Sequence, residues 1–519
     1  MVTPSKAGGT VSSDLPPLRS FGSSPATVTE PQGLKNLSVP ASEDVRADAT
    51  HSSAAVVVST VFVSSEPKSE TKPTSSPKEA KKAKKDEKDR TILSKERWLA
   101  RNGHLFTYVG LYIFSILVLF RPYELISSLD FLAATAFYFA LATLAIFVPS
   151  QLATEGTLTM FSTEVKAILA LTAIAIITIP IAKDPARAWS IFNDAYVKSV
   201  IIFIVLVNVV RTRKRLMGMM WLSLGIAVYL SFAALQLYLT GQFNVEDYRV
   251  GVKVGGMFGN PNEMALHFVM MTPLVITLGL ASKSKARRLA YFAMAALFVA
   301  ANMVTFSRGG FLGLVACSLF LAWKLGRKYR LNVTIASIFV AAIGIVAAPG
   351  NYGLRMLSIF VPGLDPVGSS DQRKDLLWRS LVVSARNPWG IGIGNFPIVG
   401  IRDLQSHNAF TQVSAELGVL GLAAYLVFMI SPFRKLSAIE RTLFDRDEHD
   451  WFYYVAIGLQ ASIVGYWVSS FFASVAYNWF IYYLIAYAVA FRRIYSIEKG
   501  LAGDVKAEPL WDRHPAEAT

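Results

Sequence analysis

The sequence predicts an all-α, polytopic membrane protein with about twelve transmembrane helices and a large extracytoplasmic loop between late helices. Three observations carry this. Of 519 residues, 53% are hydrophobic and only 17% are charged, against about 25% charged in soluble chains. Apolar runs of near-spanning length recur from residue 105 onward, with short polar breaks. The basic residues fall in clusters between those runs, all compatible with one orientation.

Residues 1–92 are rich in Ser, Thr, Pro, Ala and Lys and lack a sustained apolar period. Such a segment buries too little surface to offset its ordering entropy, so a disordered cytoplasmic tail is expected. Its apolar run 54–63 is about half the length needed to cross a bilayer. No basic segment precedes that run, as a signal peptide would require. The Lys- and Arg-rich stretch 78–101 reads as a solvated anchor beside the first span. A polytopic domain should occupy 93–498 and a cytoplasmic tail 499–519.

Spans are expected near 105–120, 129–148, 165–182, 199–210, 216–239, 264–281, 289–303, 311–325, 331–348, 409–430, 451–472 and 474–490. Non-helical backbone cannot face lipid, so each should be a helix. With a cytosolic tail, five basic clusters fall on the cytosolic side: 211–215, 283–288, 327–330, Arg434-Lys435 and Arg492-Arg493. That is the positive-inside pattern. The net charge of +15 is therefore read as topology and lipid contact rather than nucleic-acid binding. The loops 121–128, 183–198, 240–263, 304–310 and 349–408 then face outward. The only cysteine, Cys317, lies in an apolar run, which leaves no internal disulfide and no cysteine-based metal site.

The outer face carries the candidate chemistry. His51, His104, His449 and His514 fall in cytosolic segments, leaving His267 and His407. His267 sits inside a helix and reads as a packing histidine. His407 lies at a helix mouth between Ser406 and Asn408, where a neutral imidazole can take a proton from a hydroxyl; capping and loop packing are its ordinary uses. Arg308, in Thr305-Phe-Ser-Arg-Gly-Gly310, either snorkels to headgroups or points into a cavity and holds an anion through its guanidinium fork. There the two glycines permit close backbone approach. Arg249 and Lys253 precede Gly259-Asn-Pro-Asn262, a turn whose helix start offers N–H groups to an anion. Gly390-Ile-Gly-Ile-Gly394 lacks the strand-to-helix context and spacing of a nucleotide loop. No Walker sequence is present, and Asp184, Asp194, Asp247, Asp365 and Asp371 are too scattered to make a recognisable metal cluster.

Taken together, these motifs resemble the O-antigen ligase and O-antigen polymerase superfamily of bacterial membrane glycosyltransferases. The resemblance rests on Gly259-Asn-Pro-Asn262, Ser307-Arg-Gly-Gly310, the run 370–378 with Arg373, Asn387-Pro-Trp-Gly-Ile-Gly-Ile-Gly-Asn-Phe396, Ser406-His-Asn408, Glu416-Leu-Gly418 and Leu420-Gly421, and covers roughly 105–490. It implies a many-helix protein of the bacterial inner (plasma) membrane with a large outer loop, and with the charge pattern this puts the active site on the periplasmic side and both termini in the cytoplasm. It implies transfer of a glycan from an undecaprenyl-pyrophosphate carrier to an acceptor hydroxyl, without metal or other cofactor. The acceptor is a lipid A core in a ligase, a growing glycan in a polymerase and a protein side chain in an O-oligosaccharyltransferase. By the same resemblance His407 activates or orients the acceptor, Arg308 holds the pyrophosphate, and Arg373 and Asn408 join the substrate site. The family's arginine before the Asn-Pro-Asn turn corresponds in spacing to Lys253, with Arg249 four residues earlier; lysine supplies charge without the bidentate fork. A secondary transporter is the reading from another class. It would place its ionisable groups at broken helices near the midplane rather than on one face.

Overall fold

The structure is a computed structural model. It describes residues 102–120, 127–129, 132–243, 245, 248–252, 258–327, 331, 335, 352–357 and 369–499. The expected tail 1–92, Lys253, almost all of the expected span 331–348 and residues 500–519 lie outside the described residues.

Every extended element among the described residues is a helix. In order they are α1 (Asn102–Phe120), α2 (Leu132–Glu155), α3 (Thr163–Thr178), α4 (Pro185–Val209), α5 (Arg213–Leu239), α6 (Pro261–Ala281), α7 (Lys285–Val304) and α8 (Arg308–Leu325). After the short α9 (Tyr352–Leu357) come α10 (Ser369–Arg386), α11 (Phe396–Val399), α12 (Ala409–Asp445), α13 (Trp451–Ser470) and α14 (Trp479–Glu498). Eight of these, α1, α4, α5, α6, α7, α8, α12 and α14, are each long and apolar enough to cross a membrane. The chain is a multi-pass helical membrane protein. Of the other expected spans, 129–148 coincides with the 24-residue α2, 165–182 with the 16-residue α3 and 451–472 with the 20-residue α13, while 331–348 lies almost wholly outside the described residues.

At its centre, α6 packs on α7, α8 and α13, while α12 packs on α3, α13 and α14. α6 and α14 are apolar nearly all round and are the most deeply buried of the eight, as a helix without a polar face must be. The tyrosines of α14 bury their rings and satisfy their hydroxyls within the bundle. Tyr483 Oη lies 2.8 Å from Ser115 Oγ, and Tyr487 Oη lies 2.7 Å from Ser223 Oγ. Unmet, such groups in a dry interior would each be costly.

One end of the bundle is stapled by three carboxylates, each clamped between two cations. Glu155 at the end of α2 meets Arg211 and Arg493 of α14. Glu164 at the start of α3 meets Lys435 of α12, 2.8 Å away, and Arg492. Glu440 of α12 meets Lys324 of α8 at 2.6 Å, and Arg327. Because α12 and α14 contribute to these clusters near their C-terminal ends, the clusters share one end of the bundle. Arg308 at the start of α8 and Asn408 at the start of α12 occupy the other.

Candidate functional site

The turn before α8 is built to hold Arg308 in place. Ser307 caps the helix by accepting from Gly310 N at 3.1 Å, and its hydroxyl donates to Asn262 Oδ1 at 2.9 Å. The same oxygen accepts from Arg249 Nη2 at 2.8 Å, and Arg249 Nε donates to the Thr305 carbonyl at 3.0 Å. Arg355 Nε donates to the Phe306 carbonyl at 2.8 Å. Between these clamps Phe306 sits at φ 52°, a left-handed conformation that costs a non-glycine residue about 1–2 kcal/mol. Its ring packs against Tyr238, Tyr248 and Tyr352, and that packing together with the two arginine bonds offsets the strain.

The glycines after Arg308 allow close helix packing. A Cβ on Gly309 would lie 2.9 Å from Phe472 Cβ, and one on Gly310 would lie 2.6 Å from Ala265 Cβ. Small residues here bring α8 against α6 and the end of α13.

His407 stands in a second left-handed turn, at φ 50°. Ser474, in the linker between α13 and α14, accepts from His407 N at 2.8 Å and lies 3.2 Å from Ser406 Oγ. Ser406 Oγ in turn donates to the Asn408 carbonyl at 2.9 Å. Asn408 caps α12, its Oδ1 accepting from Phe410 N and Thr411 N at 2.9 and 3.1 Å. A chain of short polar contacts thus fixes the imidazole's backbone. The ring is half-buried, and its pKa is lowered to about 4, first by burial and then by the charge of Arg373. It is neutral at physiological pH and able to accept a hydrogen bond or a proton.

The two turns and α10 enclose a cavity of about 200 Å³. Arg308, Arg373, Lys374, Ser406, His407 and Asn408 form its polar lining, with Leu312, Leu377, Phe471 and Phe472 as the apolar part. Three cations and no described carboxylate line it, a charge balance that favours an anion, although Lys374 Nζ also donates to Asp371 Oδ1 at 3.0 Å. Arg308, Arg373, His407 and Asn408, singled out from the sequence, come together here. Arg249 does not line the cavity; it braces the turn that carries Arg308. Lys253 is outside the described residues. Among the described residues no group of three or more His, Cys, Asp or Glu side chains is placed to hold a metal. His267 packs between the rings of Phe258 and Phe480, without the hydrogen bond expected of a packing histidine.

Lys374, Arg355, Phe471, Phe472 and Ser474 carry no individual signal in the sequence. The last three lie in residues 471–478, which hydropathy assigns almost wholly to two adjoining spans; the structure ends α13 at Ser470 and starts α14 at Trp479. Apolar linker residues that line a cavity look the same in sequence as residues that face lipid. Arg355 and Lys374 carry no local motif beyond their charge.

The Gly-Ile-Gly-Ile-Gly run also finds its reason. α12 is broken at Gly418, which has φ 71°. The run docks into that break: Ile391 N donates to the Ala415 carbonyl at 3.0 Å, Gly392 N to the Glu416 carbonyl at 2.9 Å, and Val419 N to the Pro388 carbonyl at 2.9 Å. Gly390, Gly392 and Gly394 all have positive φ, so an every-second-residue glycine pattern traces a tight ribbon that only glycine permits. The Glu416 carboxylate accepts from Phe396 N at 3.2 Å. The ribbon thereby sets where α10 leaves the bundle, and with it Arg373 and Lys374.

Residues 291–426 match the model of the family described as O-antigen ligase. Over this segment the chain is similar to the O-antigen ligase family. The matched segment contains the whole polar lining of the cavity: Arg308, Arg373, Lys374, Ser406, His407 and Asn408. The match supports a part in O-antigen ligase- or polymerase-type surface polysaccharide biosynthesis. Among curated proteins, none matches the chain.

Proposed function

We propose that the cavity binds the pyrophosphate of an undecaprenyl-pyrophosphate-linked glycan and passes that glycan to an acceptor hydroxyl. The convergence of Arg308, Arg373, Lys374 and His407 on one cavity within the O-antigen ligase segment carries this reading. The cavity is smaller than the roughly 300–1,000 Å³ of a drug-sized pocket, which suits a compact charged head with glycan and lipid extending outside it.

In the proposed step the acceptor oxygen attacks the anomeric carbon as the bond from that carbon to the phosphate oxygen breaks. The electron pair leaves on the pyrophosphate, where the guanidinium groups of Arg308 and Arg373 and the ammonium of Lys374 stabilise it. The acceptor proton passes to the imidazole of His407. Asn408 fixes the helix start beside that imidazole, and Arg249 holds the turn carrying Arg308; Lys253 is proposed as a further phosphate contact. Donor binding also prepares the base. A pyrophosphate beside Arg373 offsets the charge that depresses His407, so the imidazole becomes more basic as the site fills.

The proposed orientation puts the cavity on the periplasmic side of the plasma membrane and both termini in the cytoplasm. The cation-rich end opposite the cavity supports it. Complementation of a deletion strain with His407→Ala and Arg308→Ala, read as surface glycan on a gel, tests the reading. Loss of all long glycan with lipid A core intact identifies a ligase, and single capped repeats identify a polymerase. Unchanged glycan in both variants at normal expression overturns the proposal.

A further inference from the structure

The solvent-facing side of α10 has two unlike halves. Near its start it presents Asp371, Lys374 and Asp375, all exposed. One turn further the exposed residues become apolar: Trp378 is 70% exposed and Leu381 47%, with Ala385 exposed beyond them. The spacing puts these three on one helical face. Just past the helix Trp389 is 69% exposed. The opposite side, with Leu376, Ser380 and Val383, is buried. Arg379 and Arg386 are exposed beside the apolar strip.

The surroundings of the strip identify its occupant. Val419 N bonds to the Pro388 carbonyl, next to Trp389, and Val419 and its neighbour Leu420 are 58% and 57% exposed on α12, a membrane-crossing helix. On the other side Lys183 N bonds to the Ile391 carbonyl, close to Ile181 in the turn after α3, which is also exposed. The strip therefore runs on into the apolar outside of the bundle. Tryptophan, leucine and arginine together at the rim of such a surface are the composition of a membrane interface.

We propose that the C-terminal half of α10 lies in the headgroup layer of the leaflet on the cavity side. Trp378, Leu381 and Trp389 enter the acyl boundary, Arg379 and Arg386 meet lipid phosphates, and the charged first turn stays in water. The same helix lines the cavity with Arg373, Lys374 and Leu377, so membrane seating fixes the cavity at headgroup depth. The proposal does not depend on the glycan-transfer reading.

The test uses the full chain in lipid nanodiscs. Cys317→Ser removes the only cysteine; single cysteines at Leu381, Trp389, Asp371 and Val419 then carry a nitroxide. Collision with oxygen, which concentrates in lipid, is compared with collision with a water-soluble nickel chelate. The oxygen-to-nickel ratio is expected to be several-fold higher at Leu381→Cys and Trp389→Cys than at Asp371→Cys, and to approach that of Val419→Cys. Both label sites are exposed side chains, and Trp378→Cys reads the strip again should one variant misfold. Nickel accessibility at Leu381→Cys and Trp389→Cys equal to that of Asp371→Cys overturns the proposal. It is equally overturned if those labels are water-exposed and become shielded only when soluble oligosaccharide is added.

Discussion

Replacing Gly390 by alanine tests whether the glycine ribbon is what locks the broken helix α12. Two costs apply. The backbone at Gly390 has φ 87°, and holding an L-residue in the left-handed region costs about 1–2 kcal/mol. The new Cβ would lie 2.4 Å from the Glu416 carbonyl oxygen and 2.7 Å from Gly418 N. Neither is a flexible side-chain end, so the ribbon or the helix must shift, and overpacking of this kind costs about 1–3 kcal/mol. The sum is about 2–5 kcal/mol. Gly241 supplies the control: its φ is 68°, yet nothing lies within 4 Å of a Cβ built there. Gly241→Ala should therefore carry the conformational cost alone. Thermal unfolding of both variants in nanodiscs, with glycan transfer measured in parallel, separates the two terms. Gly390→Ala should be the less stable and should lose transfer activity, because the ribbon sets the exit of α10. If it is no less stable than Gly241→Ala, the docking of the ribbon against Glu416 does not hold the site together.

Glu440→Ala removes a fully buried carboxylate from between Lys324 and Arg327 and should destabilise by about 3–5 kcal/mol in the same unfolding assay. Adding Lys324→Met should recover part of that loss, since it removes one of the stranded charges. With His407 lowered to about 4 from 6.5, the acid limb of kcat/KM should fall near pH 4, and Arg373→Ala should move it upward. The fold favours the neutral imidazole, so the unfolded chain takes up the proton first. This group's contribution to stability is therefore lost as pH falls from 6.5 towards 4 and is unchanged above that window. Ser474→Ala removes the acceptor that holds His407 N and should lower kcat by about ten- to a hundredfold with expression intact, while Ser474→Thr keeps the hydroxyl and should retain most activity.

Much of the site was legible because its residues are chemically conspicuous. Arg308 stands out as a charge between two apolar runs, and His407 as one of two histidines on the expected outer face. Both now line one cavity. The spans were readable wherever burial and lipid exposure demand the same apolar composition. That equivalence also hid the linker 471–478: Phe471 and Phe472 face the cavity, yet their hydropathy is that of a span. In sequence the glycine ribbon is only a nucleotide-like loop without its strand-to-helix context, and its positive φ values make sense only against the break at Gly418, a partner more than twenty residues away. Arg249 illustrates a different limit. Its charge marked it for the substrate, but its bonds to Asn262 and the Thr305 carbonyl give it the work of bracing the neighbouring turn.

The most direct measurement of the central claim is transfer by the purified chain in nanodiscs, using an undecaprenyl-pyrophosphate-linked oligosaccharide as donor and each acceptor class in turn. With the productive acceptor, His407→Ala should reduce kcat by about 10²–10⁴-fold, the usual range for removing a positioned acid–base group, while donor binding persists. Arg308→Ala should weaken donor binding as well as turnover. A His407→Ala protein that folds, binds donor and transfers glycan at the unaltered rate would contradict the account.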